Sequence, residues 1–190
     1  MRRVVAAQDR YVLYREDLRL DFNRCCGYCG HSDDRQDSST FHIDHFAPKA
    51  RFPELAIEYS NLVYSCRICN ISKSNHWVGV DSSVPNDGER GFIDPCASEY
   101  DANIGRTSDG RIVGLTPLGA YAVKRLKLGL LRHELLWRAR RADELRVEVA
   151  ELIDKLAAKG DQGGVFMELL MRYKSLTEAI NEYERGAVGQ

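Results

Sequence analysis

Phe41-His42-Ile43-Asp44-His45-Phe46-Ala47-Pro48-Lys49 lies between two Cys-x-x-Cys pairs, Cys26/Cys29 and Cys66/Cys69, and the second pair runs directly into Asn70-Ile71-Ser72-Lys73-Ser74-Asn75. A Cys-x-x-Cys on a turn presents two thiolates to one tetrahedral Zn²⁺, and two such pairs complete a four-thiolate site. Four thiolates leave the ion no open position. It is therefore expected to be a structural staple that fixes the Asp-His segment against the element carrying Cys66 to Lys73. Isolated thiols are more often small buried hydrophobes, but two pairs at identical spacing argue against that here. Cys25 and Cys96 stay outside the set, as structural residues.

Asp44 and His45 place a carboxylate beside an imidazole. Hydrolysis of a phosphodiester at neutral pH needs a base for the attacking water and a divalent cation for the developing oxyanions, and this pair can supply both. Alternation along a strand puts His42 on the same side as Asp44, as an extra ligand or phosphate contact. Lys73 follows Asn70 by three residues on an expected helix and is either a phosphate contact or a solvated surface lysine. His31 and His76 are read as bystanders.

The order Cys-x-x-Cys, Asp44-His45-Phe46-x-Pro48, Asn61-Leu62-x-x-x-Cys66-x-x-Cys69-Asn70-x-x-Lys73 resembles the HNH endonucleases with a zinc-stapled ββα-metal core. The resemblance implies His45 as general base, Asp44 as a ligand of the catalytic cation, Asn61 as the residue that orients the base, and Asn70 as a second ligand. A carboxylate and an amide oxygen are hard donors suited to Mg²⁺ or Mn²⁺. A looser similarity joins Pro48-Lys49-x-Arg51-Phe52-Pro53, Phe92-Ile93-Asp94-Pro95 and Gly119 to Leu128 with HNH proteins encoded beside ATPases in bacterial anti-phage systems such as Septu. It implies a defence role with an ATPase partner, and it puts Lys49 and Arg51 near the cleft as phosphate contacts. A non-catalytic zinc knuckle that binds nucleic acid or a protein is the alternative; such a module has no need of Asp44, His45, Asn61 and Asn70 together.

Outside this region the chain reads as α+β with a mainly helical C-terminal region ending in a helical hairpin. The expected divisions are residues 1–80 for the core with its opening helix, 81–116 for connecting loops and short strands, and 117–190 for the helical region. Asp9 to Asn23 suits a helix, and Phe41 to Phe46 with Leu62 to Tyr64 suits a short hairpin. Gly91 to Cys96 and Arg111 to Leu115 are expected as a strand pair. Thr116-Pro117 is an N-cap with proline in the first turn of a long helical stretch. Leu145, Val149, Leu152, Ile153 and Leu156, then Phe166, Leu169, Leu170, Tyr173, Thr177 and Ile180, make two packing stripes joined by a glycine-rich turn.

Net charge is −1, low for a protein that holds DNA unaided. The charge is uneven: Pro117 to Arg141 carries seven Lys or Arg against Glu134 alone, and residues 142–190 carry ten acids against six bases. That basic stretch either tracks phosphates or is a solvated or docking face. If it does not hold DNA, a homo-oligomer or an associated protein is needed for most of the affinity. No stretch reaches the roughly 20 apolar residues of a membrane span, and Met1-Arg2-Arg3 leads into no secretory core. Reduced cytoplasmic thiols suit metal binding.

Overall fold

The computed structural model describes residues 4–34, 40–160 and 163–188. Part of the polar segment 31–40 and the centre of the expected glycine-rich turn lie outside them. The chain divides into two units, Met1–Leu130 and Leu131–Gln190.

In the first unit a 3₁₀ turn, Tyr11–Tyr14, opens into helix α1, Arg15–Asp21. Strands β1 (Phe41–His45) and β2 (Leu62–Cys66) pair antiparallel, Phe41 opposite Cys66 and His45 opposite Leu62. Helix α2, Arg67–Lys73, follows β2 without a loop, which completes a ββα unit. Every residue of β2 is buried, because the strand is covered on both faces. Phe41 stacks on Tyr64 at 5.0 Å and Leu18, Leu62 and Val63 are sealed from solvent. Burial on this scale, at about 1.5–3 kcal/mol for each large apolar side chain, makes the hairpin the centre of the unit.

The expected pairing of Gly91–Cys96 with Arg111–Leu115 is not formed. β4, Ile112–Gly114, pairs instead with β3, Ile104–Arg106, which follows the short helix α3, Tyr100–Asn103. Gly91 has φ +124° and meets Asn86 in a single bridge, after which Phe92 and Ile93 are buried in the core. Side-chain anchoring without a ladder accounts for an apolar run that looked like a strand.

Helix α4, Pro117–Arg125, starts at the expected cap: Thr116 Oγ1 accepts from the Gly119 amide at 3.0 Å. A Cβ on Gly119 would lie 1.8 Å from the Asn103 carbonyl oxygen, so only glycine allows this approach. The expected long helical stretch breaks here. Lys127 turns to φ +56°, the Leu128 amide donates to Val123 O at 2.9 Å, and Leu128 is buried, as in a Schellman stop. The basic run 117–141 is thus split between the two units.

The second unit is a hairpin of α5, Leu131–Ala158, and α6, Gly164–Val188. Its seam alternates steps of three and four residues: Leu135, Ala139, Ala142, Arg146, Val149, Ile153 and Leu156 face Phe166, Leu169, Tyr173, Leu176, Ile180, Tyr183 and Ala187, all buried or half-buried. Leu145, Leu152 and Leu170, expected on the stripes, flank the seam and are exposed. Arg138 pairs with Glu134, and Arg140 and Arg141 with Glu144. Intrahelical pairing of this kind is ordinary for a solvated helix face, so these arginines do not form an unopposed phosphate track. Among the described residues no helix is long and apolar enough to cross a membrane.

Candidate active site

Cys26 and Cys29 lie on the turn after α1, Cys66 ends β2, and Cys69 lies in the first turn of α2. All four are buried, and their sulfurs lie within 4.8 Å of one another, with Cys29 Sγ and Cys66 Sγ 3.8 Å apart. A ZnS₄ tetrahedron with bonds of about 2.3 Å has edges of about 3.8 Å. Hydrogen bonds from Cys26, Cys29 and Cys69 pull the Cys66 thiol far below its ordinary value, whereas Cys29 and Cys69 are pushed up, first by their bonds within the cluster and then by burial. A divalent soft-ligand ion is what lets all four ionise, so the donor set fits structural zinc. Cys25 and Cys96 are half-buried and outside the cluster. His31 does more than the sequence indicated: its buried ring packs against Phe41 at 5.6 Å and lies close enough to the Cys66 sulfur to lower that thiol's affinity for its proton.

Beside the staple, β1, the first residues of the loop after it, the start of α1 with the 3₁₀ turn before it, and α2 with the residues after it line an open groove of about 590 Å³. His42, Asp44, His45, Lys49 and Asn70 all line it. Tyr11 and Arg15, which sequence reasoning passed over, form a further part of its wall. Tyr11 meets the His45 ring edge-on at 4.8 Å and lies under the Lys49 ammonium, 4.6 Å from the ring centroid. Arg15 donates to Phe41 O at 3.0 Å. No local pattern distinguishes these residues, because their place depends on how α1 packs against the hairpin.

His45 Nε2 lies 2.9 Å from the Ala56 carbonyl oxygen. A proton on Nε2 donates to that carbonyl, leaving Nδ1 as the basic nitrogen. Burial holds the imidazole below its ordinary value of 6.5, with the nearby charges of Lys49 and Lys73 acting the same way and the Ala56 carbonyl opposing. The ring is therefore neutral, and able to accept a proton, at neutral pH.

The Asn61 side chain hydrogen-bonds backbone groups and not the imidazole. Its Oδ1 accepts from the Ala47 amide at 2.7 Å, and its Nδ2 donates to Ala47 O at 3.0 Å and Leu55 O at 3.2 Å. It fastens both ends of the β1–β2 connection, and the residue after Leu55 supplies the carbonyl that holds His45. Any orienting effect on the base passes through that backbone. Arg51 is also displaced from its expected place: its guanidinium donates to Trp77 O at 2.9 Å and Gly79 O at 3.1 Å, which ties the connection to the following loop and does not face the groove.

Lys73 overturns both readings that the sequence allowed. It is 0% exposed, with Nζ 3.1 Å from Asp44 Oδ2 and donating to His45 O at 2.8 Å. Tyr28 donates to the same Asp44 oxygen at 2.6 Å. Burial pushes Asp44 up and Lys73 down, and their mutual contact opposes both shifts. Neither group can be removed alone without stranding the other. Lys73→Met is expected to destabilise the zinc-loaded first unit by about 3–5 kcal/mol, the usual cost of breaking a buried pair. An unchanged urea midpoint would show that the pair carries no such strain. His76, set aside from the sequence, bonds Tyr121 at 2.6 Å and ties the segment after α2 to α4.

Residues 26–76 match the family model described as HNH endonuclease, in agreement with the resemblance drawn from the cysteine and Asp-His motifs. The chain is also similar to protein ea31 of Escherichia phage lambda, 35% identical over 68 residues, covering 36% of this chain and 21% of that protein. It is similar to Septu protein PtuB of Bacillus thuringiensis, 37% identical over 59 residues, covering 31% of this chain and 22% of that protein. The match thus spans about a fifth of each relative's length. No solved structure matches the chain.

Proposed function

We propose that this protein is a metal-dependent HNH endonuclease that cuts DNA, working in the cytoplasm as the effector of an anti-phage system. The observation that carries the reading is the groove itself, where a neutral imidazole fixed through Nε2 stands beside a buried carboxylate and an amide on a zinc-type staple. His45 Nδ1 accepts the proton of the attacking water. Asp44 and Asn70 are the hard oxygen donors that would hold Mg²⁺ or Mn²⁺, which when bound stabilises charge on the phosphoryl oxygens. Lys49 and Arg15 give the groove positive charge for the phosphate backbone, and His42 adds a hydrogen-bonding ring to its wall. Asn61 serves the base through the loop that it fastens. The defence role and an ATPase partner rest on the similarity to PtuB and on the wider resemblance to ATPase-paired HNH proteins.

The test is incubation of the full chain with matched lengths of duplex DNA and RNA, in Mg²⁺ or Mn²⁺ and in chelator. Cation-dependent cutting of DNA is the outcome expected. Binding without cutting in any cation would favour the zinc-knuckle module instead.

A further inference from the structure

Asp44 is held from the side opposite the groove by two donors that reach it from separate zinc-type segments. Tyr28 stands between Cys26 and Cys29, is 3% exposed, and donates its hydroxyl to Asp44 Oδ2 at 2.6 Å. Lys73 lies one helical turn beyond Cys69 and puts its ammonium 3.1 Å from the same oxygen. Oδ2 thus has both its lone pairs engaged, whereas Oδ1, 3.5 Å from Lys73 Nζ, keeps acceptor capacity even with the His45 backbone amide also drawing on the carboxylate. The turn that presents Tyr28 is itself tied down. Tyr100 donates to Tyr28 O at 3.1 Å and Arg106 to Cys29 O at 2.6 Å, so α3 and β3 brace the first cysteine pair from behind.

We infer that Tyr28 and Lys73 are positioning residues: carried by the two cysteine pairs, they clamp Asp44 so that it offers one oxygen, Oδ1, to the divalent cation in the groove. The inference rests on the HNH reading for the place of that cation. Its physical basis is that a carboxylate fixed in one rotamer loses little freedom when an ion arrives, and that partners of this kind orient ligands and tune their affinity. The clamp also explains why the staple and the groove belong together. Loss of zinc would release Tyr28 and, through it, the cation ligand.

Tyr28→Phe removes the hydroxyl and keeps the ring that fills the core. In the zinc-loaded full chain, Mn²⁺ binding is measured by the loss of the free-ion electron paramagnetic resonance signal, beside zinc content and Mn²⁺-dependent plasmid cleavage. Tyr64→Phe is the control, because it deletes a buried core tyrosine's hydroxyl that bonds Asp33 at 2.6 Å, outside the groove. Tyr28→Phe should keep its zinc, bind Mn²⁺ about 10–100-fold more weakly, and shift its cleavage curve to higher Mn²⁺ in the same proportion. Tyr64→Phe should bind Mn²⁺ as wild type does. Equal Mn²⁺ affinity in Tyr28→Phe and wild type, an equal loss in Tyr64→Phe, or no Mn²⁺ binding by wild type would each overturn the clamp. If Mn²⁺ binding follows the expected pattern and neither protein cuts DNA, the clamp stands and the nuclease reading falls.

Discussion

His45→Ala should lower cation-dependent DNA cleavage by about 10²–10⁴-fold, the range typical of losing a positioned general base, while zinc content and DNA binding stay at wild-type levels. Among the described residues the imidazole hydrogen-bonds through Nε2 to the Ala56 carbonyl, so its removal leaves the Asp44–Lys73 pair and the cysteine cluster untouched. The pH dependence follows from the same surroundings. Burial and the charges of Lys49 and Lys73 lower the imidazole's affinity for a proton, so the neutral base persists into mild acid. The acid limb of the rate profile should therefore lie below pH 6.5, the ordinary histidine value. Lys49→Ala removes one of the lowering charges and should move that limb upward. A limb above the ordinary value in wild type would mean that another group titrates.

Cys66→Ser should leave the first unit unfolded or insoluble, and wild-type protein should carry one zinc per chain by elemental analysis. Cys66 Sγ lies 3.8 Å from Cys29 Sγ within the four-sulfur cluster, and Cys66 joins β2 to α2 without an intervening loop. Structural zinc contributes an apparent free energy of about 10–16 kcal/mol in small zinc-dependent peptides. Whole domains are stable by only about 5–15 kcal/mol. Even a fraction of the zinc contribution therefore decides whether this unit folds. A soluble, zinc-free, active preparation would contradict the staple.

The cysteine frame was legible because ligand spacing is a local property: Cys-x-x-Cys commits two sulfurs to one point whatever the rest of the chain does. The β1–β2–α2 unit was legible for the same reason, since the pattern of Phe41–His45, Leu62–Cys66 and the helix after Cys66 is written in short segments. Partners supplied by distant segments were not. Lysine is among the residues least often buried, so nothing local to Lys73 indicates that it turns inward to Asp44, 29 positions earlier in the chain. Tyr28 stands between two cysteines with no local signal of its own, and its hydroxyl acquires a purpose only when β1 arrives beside it. Asn61 and Arg51 bond to backbone carbonyls and amides, which carry no sequence signal. The break at Lys127 depends on a left-handed residue that is not glycine, where a propensity reading would continue the helix.

The most direct measurement is a time course of supercoiled plasmid with the zinc-loaded full chain in Mn²⁺, run in parallel for wild type, His45→Ala and wild type in chelator. Relaxed or linear plasmid should form with wild type in Mn²⁺ alone, and the His45→Ala protein should be slower by two or more orders of magnitude, within the range of about 10²–10⁴ for a lost base. Equal rates for wild type and His45→Ala, or cleavage that persists in chelator, would contradict a metal-dependent site built on His45.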